Sequence, residues 1–323
     1  MSASHSVIHN DKNDNILIGM RNGRTGEFKL VPKEQATVSV FDSSVLLGDG
    51  LWEGIRANYG VVQYAKEHLD RLYDGAKTIM MDIGVSKLQL LEYIHQTLDG
   101  NGFDKEDGVH IRLVCSRGHK AVIHQNPLCT DGTSTIMIIA EIKKPNPNAV
   151  SNGLKLFTVH VRRGQNDIRE ERLNHLSKII DIQACIQSNA AGADEALMLD
   201  LHGNVKTCNS VNFFIVRKGE IWTATPLNQM AGITRQKTID VARRLGFTVL
   251  EKDYTLNDVY SADEAFVTGT FPSQVPVREI DGRLMGDGSG SAGPVTSELQ
   301  AAYKEDVKAH LQKGRQEAIS QLQ

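Results

Sequence analysis

The spacing of apolar and polar positions changes period several times along the chain, and each change marks an element. ILIGM (16–20) and GEFKLVP (26–32) flank an Asn22-Gly23 turn and predict a β-hairpin. TVSVF (37–41) alternates as a half-buried strand does. LWEGIRANYG runs into VVQYA through Tyr59-Gly60, a second hairpin pattern. The spacing turns helical over Lys66 to Met81 and over Ser86 to Leu98, with Ser86 as N-cap and Gly102 just beyond the second helix. VHIRLVCS (109–116) and STIMIIAEI (134–142) predict strands, the second so continuously apolar that burial on both faces is expected.

The pattern breaks at KKPNPNAVSNG (143–153), where prolines and asparagines replace any period. This stretch divides the chain into a smaller domain over 1–145, a linker over 146–153 and a larger domain over 154–323. Beyond it, LKLFTVHV, DEALMLD, FTVLEKDY and DEAFVTGT predict strands, and NFFIVRKGEIWTAT predicts a hairpin turning at Lys218-Gly219. Helices are expected over Ser177 to Ala191 and over Ile233 to Leu245, the latter closed by Gly246. GDGSGSAGP (286–294) reads as a loop before a last helix, Val295 to Gln312. Strands and helices mix without the regular alternation of a doubly wound sheet, so the expected class is α+β.

Composition narrows the function. The chain has 323 residues, enough for two domains, and a formal net charge of -3 without a block of like charges. Nucleic acid and membrane surfaces are therefore not expected partners. The four cysteines show no paired spacing, Met1 to Asp14 is polar rather than a secretion signal, and no apolar run reaches spanning length. A cytoplasmic protein with free thiols is expected.

Several short strings carry chemistry. GDGLWEGIR (48–56), EHLDRL (67–72), GADEALMLD (192–200), GITR (232–235) and FVTGT with PVREIDG (266–282) occur in this order. Together they resemble the class IV aminotransferases, the family of branched-chain and D-amino acid aminotransferases, from about Val38 to the final helix. The resemblance implies a two-domain fold with pyridoxal 5′-phosphate held between the domains. It implies a homodimer, and an amino donor and a keto acid acceptor as substrates. Lyase or racemase chemistry on the same cofactor, or a catalytically silent phosphate-binding homologue, stands as the alternative.

A phosphate dianion needs a fixed cation, backbone N–H donors and hydroxyls. The resemblance assigns the cation to Arg71. Gly232-Ile233-Thr234 opens a helix, which makes Ile233 and Thr234 an anion site on physical grounds; Thr270 is the second hydroxyl the resemblance supplies. Met230 matches the apolar position that packs on the pyridine face. Leu47, Trp52, Arg117 and Phe271 match substrate-side positions, although typical branched-chain enzymes carry an aromatic where Leu47 stands.

Two positions depart from the family pattern. Matching RLNHL to the family's string places Glu171 where its lysine belongs, and counting back from Gly192 to Glu195 ends near Leu173 or Asn174. Neither residue is an amine. Lys178, a helical turn beyond Asn174, is the nearest candidate for the Schiff-base lysine. In GNVKTCNSVNFF, Thr207 aligns with the glutamate that pairs with the pyridine nitrogen in relatives. A threonine hydroxyl donating to a neutral ring is expected there, with weaker electron withdrawal.

Overall fold

The computed structural model describes residues 9–144, 152–271 and 273–323. The expected linker at 146–153 thus lies largely outside the described residues. The chain forms two compact units. The N-terminal unit comprises His9–Lys144 together with Leu173–Ser177 and Ala309–Gln323. The C-terminal unit comprises 152–172 and Lys178–Lys308.

The N-terminal unit is built on Leu17–Arg21 (β1), Phe28–Pro32 (β2), Gly50–Asn58 (β3), Val61–Val62 (β4), Val109–Ser116 (β5) and Ile136–Ile142 (β8). They form an antiparallel sheet in the order β2-β1-β8-β5-β3-β4, and a separate small ribbon pairs His119–Lys120 (β6) with Thr130–Asp131 (β7). A short helix, Ser43–Leu47 (α1), precedes β3. Ala65–Thr78 (α2) packs on β3, and Lys87–Gly100 (α3) on β1 and β8. Ser86 caps α3 as expected, its hydroxyl accepting from Gln89 N–H.

Two expectations change here. TVSVF (37–41) forms no strand and crosses the surface as a loop, with Val40 70% exposed; its alternation had no partner strand to bury against. β8 buries only alternate residues fully, because helices cover one face of its antiparallel sheet.

The C-terminal unit holds Leu154–Arg162 (β9), Glu195–Leu199 (β10), Val205–Cys208 (β11), Asn212–Arg217 (β12), Glu220–Thr223 (β13), Val249–Glu251 (β14), Glu264–Gly269 (β15), Ser273–Ile280 (β16) and Arg283–Leu284 (β17). The path β11-β10-β9-β16-β15-β12 closes on itself through a β11–β12 pairing, so these strands form a barrel. β13 and β14 extend it from β12, and β17 pairs with β16. Closure pairs both sides of each of these six strands, leaving β14 and β17 as edges, and encloses a core that includes Leu156, Leu197, Phe213, Ile215 and Val267.

The helices Ile179–Ala190 (α4), Ile233–Arg244 (α5) and Leu256–Tyr260 (α6) belong to this unit. α4 packs on β9 and β10, and α5 on β15. The hairpin turns at Lys218-Gly219, both at positive φ, and Gly246 at φ 88° closes α5. Pro294–Gln312 (α7) is followed by a further helix, Gly314–Ser320 (α8), and the chain from Ala309 onward belongs to the N-terminal unit rather than the C-terminal one. Ala318 is the reason: it is buried in the N-terminal core, against which Ile319 and Leu322 also pack. Among the described residues, no helix is long and apolar enough to cross a membrane.

Candidate functional site

Strand register places Thr207 and Thr270 at one end of the barrel. Thr207 on β11 lies opposite Asn212 at the start of β12, and Asn212 lies opposite Thr268 near the end of β15. Thr268 in turn faces Gln274 on β16. Neighbouring strands are about 4.8 Å apart, so this row is continuous. Thr270 follows β15 in the turn to β16, at the same end.

Gly232, the residue that starts α5, approaches the row so closely that a Cβ there would fall 2.1 Å from Asn212 Oδ1. Only glycine fits. Asn212 Nδ2 donates to Gln229 Oε1 and to the Met230 carbonyl, both at 3.0 Å. Gln229 is wholly buried and donates to the Ala224 and Thr225 carbonyls. These bonds pin the loop that carries Met230 and delivers the chain to α5. Sequence reading missed Asn212 and Gln229 as site-building residues; the asparagine of the N-x-F string was the one local signal for the first.

The arrangement suits an anion. No side chain caps α5, so no side-chain acceptor competes for the N–H groups of its first turn. Thr234 is buried there, and Ile233 is half-buried. Thr268 Oγ1 is buried without a hydrogen-bond partner among the described residues. An uncapped helix start, a glycine that admits close approach and an unsatisfied hydroxyl together fit a phosphate group.

Glu171, where the RLNHL match puts the family's lysine, is a buried carboxylate. Glu171, 4% exposed, accepts from Arg163 Nη1 at 3.2 Å and from Arg169 Nη2 at 2.9 Å. Arg163 Nη2 reaches Asp181 Oδ1 at 2.9 Å and donates to the Cys208 carbonyl at 3.5 Å. Lys178 Nζ stands 3.7 Å from the other oxygen of Asp181. Cations and carboxylates therefore alternate from Arg169 to Lys178. Through Arg163 this series touches the residue next to Thr207. Lys178 precedes α4, with its side chain 32% exposed.

Thr207 is buried, but its hydroxyl donates to the Val211 carbonyl at 2.9 Å. The expected donation to a neutral pyridine is corrected on this point. That proton is already used within the β11–β12 turn, and the oxygen is left as an acceptor. Lys206, on the opposite face of β11 by strand alternation, is held by Asp253 at 2.6 Å and Asp200 at 3.3 Å.

In the N-terminal unit, Arg71 on α2 grips Glu53 of β3, with Nε–Oε1 at 2.9 Å and Nη2–Oε2 at 2.6 Å. His68, one turn earlier on α2, lies with Nδ1 2.7 Å from Oε2. Burial pushes the fully buried Glu53 carboxyl up, but the combined pull of Arg71 and His68 outweighs it and holds the pKa below its ordinary 4.5.

The residues that the resemblance matches to substrate-side positions fare differently. Arg117 is a clamp of the fold. Its Nε–Asp49 contact is 2.6 Å, and its remaining nitrogens donate to the Ile79 and Met80 carbonyls just past the end of α2. These bonds fix the guanidinium against the end of α2. Trp52 lies on the sheet face opposite Glu53, under the Arg112 guanidinium at 3.6 Å from the ring centre. Leu47 ends α1 and is 42% exposed. Phe271 occupies the turn after Thr270 and is half-buried.

Comparison with known proteins gives a consistent answer. Residues 50–280 match the family model described as amino-transferase class IV. A putative branched-chain-amino-acid aminotransferase of Methanocaldococcus jannaschii is 40% identical over 279 residues, covering 86% of this chain and 93% of that protein. Two branched-chain-amino-acid aminotransferase-like proteins of Arabidopsis thaliana are 37% identical over 85% of the chain, which spans about half of their length. The crystal structure of a T.th. branched-chain amino acid aminotransferase complexed with N-(5′-phosphopyridoxyl)-L-glutamate superposes with a TM-score of 0.82 at 33% identity, covering 92% of this chain and 95% of that one. On motifs, fold and comparison alike, this chain belongs to the class IV aminotransferase family.

Proposed function

We propose that the protein binds pyridoxal 5′-phosphate and transfers an amino group between a small amino acid and a keto acid. The observation that carries this reading is the uncapped start of α5, brought against Asn212 by Gly232 and lying beside the Thr207 row. Ile233 and Thr234 supply phosphate donors there, Thr270 a further hydroxyl and Met230 an apolar surface for the ring; the cation is Arg71 by the family resemblance. When bound, the cofactor supplies an aldehyde that condenses with amines and a ring that draws electrons from the substrate Cα.

Lys178 Nζ is the amine this reading assigns to covalent attachment and then to moving the proton at Cα. Asp181 holds it near the Cys208 end of β11 while Arg163 balances the aspartate charge. Borohydride reduction of the cofactor-loaded protein, followed by peptide mapping, is expected to label Lys178. Label at another lysine, or none, removes Lys178 from the chemistry and favours a silent phosphate-binding homologue.

Thr207 bears on the rate. An oxygen that can only accept stabilises a protonated ring nitrogen less than a carboxylate does, so the electron-withdrawing ring is weaker than in relatives. Thr207→Glu is expected to raise single-turnover rates on branched-chain amino acids about tenfold, the equivalent of about 1.4 kcal/mol. Lys206 does not intercept the new carboxylate, because it faces away and is held by Asp200 and Asp253. An unchanged or slower rate would show that ring protonation does not limit the reaction.

A homodimer in a reducing cytoplasm completes the proposal. Exposed Val40, Phe41 and Val45 on the N-terminal unit support pairing of two copies, and the free cysteines support the compartment.

A further inference from the structure

Glu53 sits on β3 between Leu51 and Ile55 and has no exposed surface. An ionised carboxylate among such neighbours is costly unless every contact is made. Here the contacts come from a single helix. His68 and Arg71 are three residues apart on α2, so both side chains meet the same strand. The carboxylate is held in its charged form and can only accept, so His68 Nδ1 carries the proton and donates. Arg71 meets the same group through Nε and Nη2, a two-point contact that fixes the plane of the guanidinium as well as its place.

We infer that Glu53 and His68 are positioning residues for the phosphate of the cofactor: Glu53 sets the orientation of Arg71, and His68 sets the orientation of Glu53. The inference rests on Arg71 binding that phosphate, as proposed above. The charge of Glu53 works against an anion, so its presence is an advantage only through geometry. That conflict makes the test directional. If charge dominated, neutralising Glu53 would tighten phosphate binding; if orientation dominates, the same change weakens it.

The test compares pyridoxal 5′-phosphate with pyridoxal, which lacks the phosphate, by fluorescence titration of the full chain. Glu53→Gln and His68→Ala are each expected to raise the dissociation constant for the phosphorylated ligand about tenfold or more and to leave that for pyridoxal within about twofold. His68→Asn sets an amide N–H near the place of Nδ1 and is expected to restore affinity to within about threefold of wild type. This pair of His68 variants decides the matter if Glu53→Gln does not fold. Equal losses for both ligands, tighter binding of the phosphorylated one, or no rescue by asparagine overturns the inference. Arg71→Ala separates the two levels. Should it leave the preference for the phosphorylated ligand intact, the phosphate assignment falls and this inference with it. Should it abolish the preference while Glu53→Gln and His68→Ala do not, only the positioning role falls.

Discussion

Glu171→Ala is expected to destabilise the folded protein by about 3–5 kcal/mol, the usual consequence of removing one partner from a buried ion pair. Glu171 is 4% exposed and is shared by two arginines. Most of the effect comes from Arg163, whose side chain is 9% exposed, because Arg169 at 26% recovers part of its hydration. Arg163 keeps Asp181 but loses the carboxylate on its other nitrogen. Urea denaturation at neutral pH measures the difference. A loss below about 1 kcal/mol would mean that water enters the cluster and screens it. Glu171→Lys, which puts an amine where the RLNHL match places the family's lysine, sets a third cation against the same two arginines and is expected to be less stable than the alanine variant. A lysine is therefore not accommodated at this position by a single substitution, and the arginine pair has to change with it.

Arg71→Ala is expected to weaken binding of pyridoxal 5′-phosphate by about 2–5 kcal/mol, roughly thirtyfold to several thousandfold in dissociation constant. A phosphate dianion would lose its one fixed cation in this reading, leaving helix N–H groups and hydroxyls. The substitution also strips Glu53 of two of its three donors while the carboxylate stays wholly buried. Part of any loss could then arise from a disturbed β3–α2 contact. Arg71→Lys addresses this point: it keeps a charge near Glu53 but cannot make the two-point contact. Its affinity is expected to fall between wild type and alanine, with a melting temperature closer to wild type. Titration with both ligands, alongside thermal denaturation, checks the prediction. Unchanged affinity in both variants would remove Arg71 from the phosphate site.

Short-range patterns in the sequence were enough for most elements. Strand β5 begins and ends where VHIRLVCS does, Ser86 caps α3, and Gly246 closes α5, because alternation, capping and positive-φ glycines act within a few residues. The start of α5 was legible for the same reason: a glycine before a periodic run marks a helix N-terminus wherever the helix packs. His68 and Arg71 share a helix face by spacing alone.

Partners distant in sequence were not legible. Alternation in TVSVF predicted a strand, but a strand needs a neighbour, and none pairs with it. The apolar run of β8 did not reveal that helices cover one face. Glu53 is one charged residue in a strand until α2 packs across it. Arg117 looks free until Asp49 and the carbonyls beyond α2 take up its nitrogens. Glu171 read as a missing lysine, whereas the fold makes it a carboxylate held between arginines. The proton of Thr207 was assigned to a ligand until the turn to β12 put the Val211 carbonyl beside it. Periodicity determines which face a residue presents; only packing decides what meets that face, because burial and ion pairing join residues that the chain itself keeps far apart.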